Sequence, residues 1–147
     1  MDDDVFNGRY DDLKNLVEKS DLRDIQFHEL SAKLYDDPPE VDHEASEADV
    51  DIKFQTRIGE DDFGVRVSTT VGADTGTATA VVAADYDIDS QHLPDNELVT
   101  LFATEIAMMA VFPYIREGIQ SATTRVFGSP LILPIMRRGD FSAEPEE

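Results

Sequence analysis

Three histidines, a triplet of alternating aspartates and two turn glycines are the residues in this 147-residue chain that could do chemistry. His28, His43 and His92 lie far apart, and none stands beside a serine in the sharp, glycine-flanked turn that exposes a nucleophile. They read as strand and loop histidines. Asp85, Asp87 and Asp89 alternate on one face of a strand and could hold calcium, but the glycine and closing glutamate of a helix–loop–helix calcium site are missing. A solvated strand face is the better reading. Gly72 and Gly76 bound a hairpin turn with no Gly-Lys-Ser/Thr after them, so they form no phosphate cradle. Carboxylate pairs carry no information among 32 acidic residues, and there is no cysteine for a thiolate site or a disulfide. The expectation is a protein that is not an enzyme and uses no cofactor or metal.

The net charge is −20, from 32 acidic and 12 basic residues, which argues against nucleic-acid binding through phosphate neutralisation. Aspartate exceeds glutamate and lysine is scarce, a balance suited to a high-salt cytoplasm where self-repulsion is screened. The same surface could attract basic partners. No stretch reads as a bilayer span, and the acidic start Met1-Asp2-Asp3-Asp4 is unlike a signal peptide, so a cytoplasmic protein without membrane insertion is expected.

These residues must be positioned by the elements of one domain. Phe6, Tyr10, Leu13 and Val17 follow helical spacing in a short N-terminal helix that must dock on something. From Leu22 to Tyr35 the apolar parity switches between Phe27 and Leu30, the mark of a bulged strand or of a strand with both faces partly covered. Asp49–Gly59, Phe63–Val71 and Thr77–Ile88 alternate strictly and are joined by short turns, as in an antiparallel meander with one covered face.

A helix is expected from Pro94 to Phe127, with Leu98, Leu101, Phe102, Glu105, Met109 and Phe112 along one side. Ala103, Ala107 and Ala110 form a second, small-residue stripe. Pro113 should kink or break the helix, because it lacks an N–H and clashes with the preceding turn. Apolar residues occupy more than half the circumference, which points to oligomerisation. After Gly128, the stretch Pro130-Leu131-Ile132-Leu133-Pro134 is apolar yet cannot be regular.

Phe112-Pro113-Tyr114-Ile115-Arg116-Glu117, followed by Arg125, Gly128 and that Leu-Pro loop, resembles the second half of the SecB export chaperones. Asp24-Ile25-Gln26-Phe27 and the three strands after it are similar as well, so the resemblance spans about Leu22 to Met136. It implies an α+β fold: a four-stranded antiparallel sheet packed against a long kinked C-terminal helix, here with an extra short N-terminal helix. The expected divisions of this single domain are the N-terminal helix at 1–20, the sheet at 21–90, the helix at 94–127, the apolar loop at 128–136 and an acidic tail at 137–147.

The resemblance further implies an ATP-independent holdase, assembled as a homotetramer (a dimer of dimers), that keeps unfolded or nascent polypeptide clients in apolar grooves. On that implication the groove is expected at Phe112, Tyr114, Ile115, Ile119, Phe127, Leu131, Leu133 and Ile135. Subunit contact is expected at Ala103, Ala107, Ala110 and Met109, so that residues before Pro113 join subunits and residues after it wall the groove. The chain departs from the SecB pattern in having no amphipathic helix after the loop and no basic zinc-binding extension, and in carrying the additional first helix. Those features are more like the SecB-like chaperones of toxin–antitoxin systems, so the partner would be a translocase motor or an antitoxin. The alternative is an acidic inhibitor or adaptor without chaperone activity on the same fold.

Overall fold

Strict alternation from Val50 to Ile88 builds three antiparallel strands, as expected. The computed structural model describes residues 2–36 and 49–133, with side chains from Arg9 onward. Along the chain run α1 (Asp2–Lys19), β1 (Ser20–Leu34), β2 (Asp49–Ile58), β3 (Asp62–Gly72), β4 (Gly76–Ile88), one 3₁₀ turn (Ser90–His92), α2 (Asn96–Phe102), a π-helical stretch (Ala103–Ala107) and α3 (Met108–Phe127). The polar loop after Asp36, the Phe6 side chain, Ile135 and the acidic tail lie outside the described residues.

The four strands form one antiparallel sheet in the order β1-β4-β3-β2. Its inner face is Phe63, Val65, Val67, Thr69 and Val71 from β3 with Ala78, Ala80, Val82, Ala84, Tyr86 and Ile88 from β4, all buried. Phe63 stacks on Tyr86 at 5.2 Å between ring centroids, and Phe102 of α2 meets both edge-on at 5.1 and 4.9 Å. That trio fixes the start of the long helix on the sheet.

β1 contains two bulges. Its pairing with β4 skips Arg23 and then His28. Each skipped residue coincides with a switch in apolar parity, so Leu22, Ile25, Phe27, Leu30 and Ala32 all pair with inner-face residues of β4: Tyr86, Ala84, Val82, Ala80 and Ala78. A bulge adds one residue and thereby returns the next side chain to the same face. The switch between Phe27 and Leu30 anticipates the second bulge.

Two helical expectations are corrected. α3 is not broken at Pro113 but helical from Met108 to Phe127, and a π-helical stretch lies upstream at Ala103–Ala107, where the Met108 N–H reaches the Ala103 carbonyl. A π turn inserts one residue and rotates everything after it by about 100°. The regular 3.6-residue side therefore does not continue. Met109 is 42% exposed, while Ala107, Met108 and Val111 move into the core. The second correction concerns α1, which docks through Leu13 and Leu16 while Tyr10 and Val17 stay exposed. The working stripe is Arg9, Leu13, Leu16 and Ser20, the same spacing in another phase. Arg9 selects it by bonding Glu97 at 3.0 Å and Asp95 at 3.3 Å as well as Asp12 at 2.9 Å.

Against the expectation from sequence, the continuous helix Asn96–Phe127 is long and apolar enough to cross a membrane by length and composition. Here 56% of its most apolar window is buried inside the fold, as for a core helix.

Candidate functional site

Among the described residues, the sheet and α3 leave a strip of apolar side chains exposed. Leu22, Phe27, Leu30 and Leu34 of β1 are between 41% and 48% exposed, although they share the inner face of the sheet. β1 is an edge strand, and α3 runs along it to its end, where a β-carbon on Gly76, the partner of Leu34, would fall 2.9 Å from Phe127 Cε1. Near the middle of β1 the two meet closely at Gly118. A β-carbon on Gly118 would fall 2.8 Å from Phe27 Cε2 and 3.2 Å from Leu30 Cδ1. One turn earlier, Tyr114 projects from the same flank of α3 and is 47% exposed. Exposed Phe27, Leu30 and Leu34 of β1, with exposed Tyr114 one turn before the Gly118 contact, are the apolar surface of the candidate client channel.

The opposite flank of α3 carries the Leu-Pro segment. Arg116 Nε–H donates to the Leu133 carbonyl at 2.9 Å, and the Leu131 N–H donates to Thr123 Oγ1 at 2.8 Å. Thr123 is fully buried and its hydroxyl donates onward to the Ile119 carbonyl at 2.6 Å. Gly128, with φ of 84°, provides the left-handed turn that reverses the chain after α3. Between the two ties Leu131 and Leu133 turn toward α3 while Ile132 is 64% exposed.

The expected groove is therefore divided. Phe112, Ile115, Ile119 and Leu133 are buried in the core. Phe127 and Leu131 are half-buried, and Ile135 lies outside the described residues. Tyr114 alone keeps a largely exposed ring, and it faces away from the Leu-Pro segment, because residues 114 and 116 lie about 200° apart around a helix. Of the expected subunit contacts, Ala103 and Ala107 are enclosed by the chain's own core, Ala110 is half-buried and Met109 is exposed. The β1 residues of the channel were not singled out in sequence. The signal was present in the two parity switches, which keep six apolar side chains on one face of an edge strand.

The outer face of the sheet is polar. Asp85 accepts from Arg57 at 2.6 Å, Asp87 from Arg23 at 2.6 Å, and Asp89 caps the 3₁₀ turn through the Gln91 N–H. Asp85 and Asp87 thus share an ion-paired strand face, whereas Asp89, expected on the same face, falls beyond the end of β4 and caps the turn. Arg57, and then Arg23, hold the Asp62 carboxyl below the usual carboxylate range. The Leu98 N–H and then Arg9 do the same for Asp95. Burial pushes the Tyr86 phenol up. Glu105 is half-buried within the π stretch. Among the described residues no group of three histidines or carboxylates converges on a metal-sized site.

No protein-family model matches the chain. The SecB-like chaperone SmegB of Mycolicibacterium smegmatis is 30% identical over 131 residues, covering 88% of this chain and 84% of SmegB. A solved structure of the Mycobacterium tuberculosis SecB-like chaperone Rv1957, in complex with a ChAD peptide from the HigA1 antitoxin, matches with a TM-score of 0.72 at 26% identity. That match covers 86% of this chain and 96% of the other. The architecture expected from the resemblance, a four-stranded antiparallel sheet with a long C-terminal helix and an additional first helix, is the one observed. Both relatives are chaperones rather than enzymes.

Proposed function

Because this chain belongs to the SecB-like chaperones, we propose that it is a nucleotide-independent holdase whose clients lie in the channel between β1 and α3. The observation that carries this reading is the exposed apolar wall of Phe27, Leu30 and Leu34 beside Tyr114 in a chain of net charge −20. Apolar patches are otherwise kept small on solvated proteins. Burying client side chains there contributes ~25 cal/mol per Å², before the cost of ordering the client. The acidic surface speeds capture of basic client segments and makes it sensitive to salt.

The preferred client is an extended apolar segment of an antitoxin-like partner rather than export substrates in general. Support comes from the Rv1957 structure, a complex with a ChAD peptide from the HigA1 antitoxin, and from the similar proportions of the two chains. Tyr10, Val17 and Met109, exposed on the helices, are the surfaces offered to further subunits in a homotetramer. Light scattering at low and high salt tests the assembly, and a monomer at both would exclude it.

The test of function is suppression of aggregation of a chemically unfolded client without nucleotide. Wild-type protein should protect at stoichiometric concentration, and Phe27→Ser with Leu30→Ser should protect at least several-fold less. Protection by the double variant equal to wild type would reject the channel as the client surface. No protection by either protein would reject the holdase.

A further inference from the structure

The outer face of the sheet carries a basin of about 420 Å³ that is separate from the client channel. Gly64 and Ala83 floor it, and His28, Arg57, Arg66 and Asp85 stand on its rim. The hollow follows from sheet register. Arg57, Gly64 and Asp85 are cross-strand neighbours, and Gln55, Arg66 and Ala83 make the next row, so the two middle strands contribute the two smallest side chains at its centre.

The rim charges differ in their partners. Arg57 is held by Asp62 at 2.9 and 3.2 Å and by Asp85 at 2.6 Å. It lies across Gly64, where a β-carbon would fall 3.0 Å from its Nε. Arg66 donates instead to the amide oxygen of Gln55. Among the described residues it is paired with no carboxylate, in a chain with 32 acidic and 12 basic residues. His28 is the residue that the second β1 bulge inserts, and the insertion brings it to this rim. Bulges commonly re-aim a side chain in this way.

We propose that this basin is a binding site for a monoanionic carboxylate, held by Arg66 with His28 as the second contact. The neutral Gln55 oxygen already occupies the guanidinium, and a charged oxygen in its place makes a bond roughly twice as strong. The guanidinium fork matches the two oxygens of a carboxylate. A dianion is disfavoured, because Asp85 stands on the same rim and the whole chain carries −20. The same chemistry is offered by a free short-chain acid and by the C-terminal carboxylate of a peptide.

The experiment is a titration followed by the backbone amide NMR signals of Gly64 and Asp85, which line the basin and are unchanged in every variant, at constant ionic strength, with propionate, N-acetylalanine and inorganic phosphate as probes. Propionate and N-acetylalanine should give saturable shifts. Tighter binding of N-acetylalanine assigns a peptide terminus, and tighter binding of propionate assigns a free acid. Arg66→Gln should weaken binding at least tenfold. Ala83→Val fills the floor without altering a charge and should weaken it comparably. The proposal is overturned if neither carboxylate saturates, if either variant binds like wild type, or if phosphate binds as tightly as the carboxylates. None of these outcomes bears on the holdase assay.

Discussion

The Nε–H of Arg116 donates to the backbone carbonyl of Leu133 across 2.9 Å, tying the segment after α3 to the middle of that helix. With the Thr123–Leu131 bond at 2.8 Å it fixes which side chains of the Leu-Pro segment face inward. A hydrogen bond from a charged donor contributes about 1.5–3 kcal/mol. Arg116→Met keeps much of the apolar stem and removes the fork. The urea midpoint should fall by an amount equivalent to about 2 kcal/mol, with faster amide exchange at Leu131. A midpoint and exchange rate equal to wild type would mean that the tie contributes nothing.

The proposed client surface predicts different roles for the two flanks of α3. Tyr114→Ser should weaken client capture, whereas Ile132→Ser should leave it unchanged although Ile132 is the more exposed at 64%. Both should stay within about 0.5 kcal/mol of wild-type stability, as for surface substitutions generally. Ile119→Ala empties a fully buried position and should cost about 2–5 kcal/mol. Client affinity by fluorescence anisotropy and urea melts separate the three cases. Equal loss of capture for Tyr114→Ser and Ile132→Ser would refute the assignment of the client to the β1 flank.

Docking of α1 should be lost in acid. The Asp95 carboxyl is held below the usual range, first by the Leu98 N–H and then by Arg9. A group depressed in the folded state stabilises fully above its ordinary pKa of about 4, and the effect disappears as pH falls through the depressed value. Arg9→Gln should therefore destabilise α1 at neutral pH, and the difference from wild type should shrink below about pH 4. Helical signal from α1 at pH 7 and pH 3 provides the measurement. A gap that is the same at both values would show that the Asp95 link is not what Arg9 supplies. The cleft of about 490 Å³ beneath α1 gives solvent a way in as the helix lifts.

Thr69 points its hydroxyl into the inner face of the sheet at 0% exposure, and the oxygen has no partner among the described residues. An unpaired buried hydroxyl costs about 1–3 kcal/mol. Thr69→Val has the same shape and no hydroxyl, so it should raise stability by about 1 kcal/mol, read as a higher urea midpoint with an unchanged slope. A lower midpoint would mean that the hydroxyl has a water partner.

Strand positions were legible because alternation is a local property. Phe63 to Val71 and Ala78 to Ile88 point inward wherever a strand of that sequence lies against a core. The parity switch around His28 was legible for the same reason, since it lies within four residues, and the pairing of β1 with β4 decides that it is a bulge. The candidate site was less legible. Tyr114 was identified, but its partners Phe27 and Leu30 come from a strand some 90 residues earlier, and nothing local connects them.

By itself, then, the sequence determined the covered face of the sheet, the parity switch in β1, the helical identity of α1 and of the segment ending at Phe127, and the absence of a recognisable catalytic motif. Each depends on neighbours within a few residues. Tertiary structure decided the phase of the long helix, because the π stretch at Ala103–Ala107 rotates Met109 outward and Val111 inward with no marker in the apolar pattern. It also decided the docked face of α1, set by an ion pair between Arg9 and Glu97 across 88 residues of chain. Finally it separated core from surface among the apolar residues of α3. Their chemistry is alike, and only the way the helix lies on the sheet buries Ile115 and Ile119 while Tyr114 stays exposed.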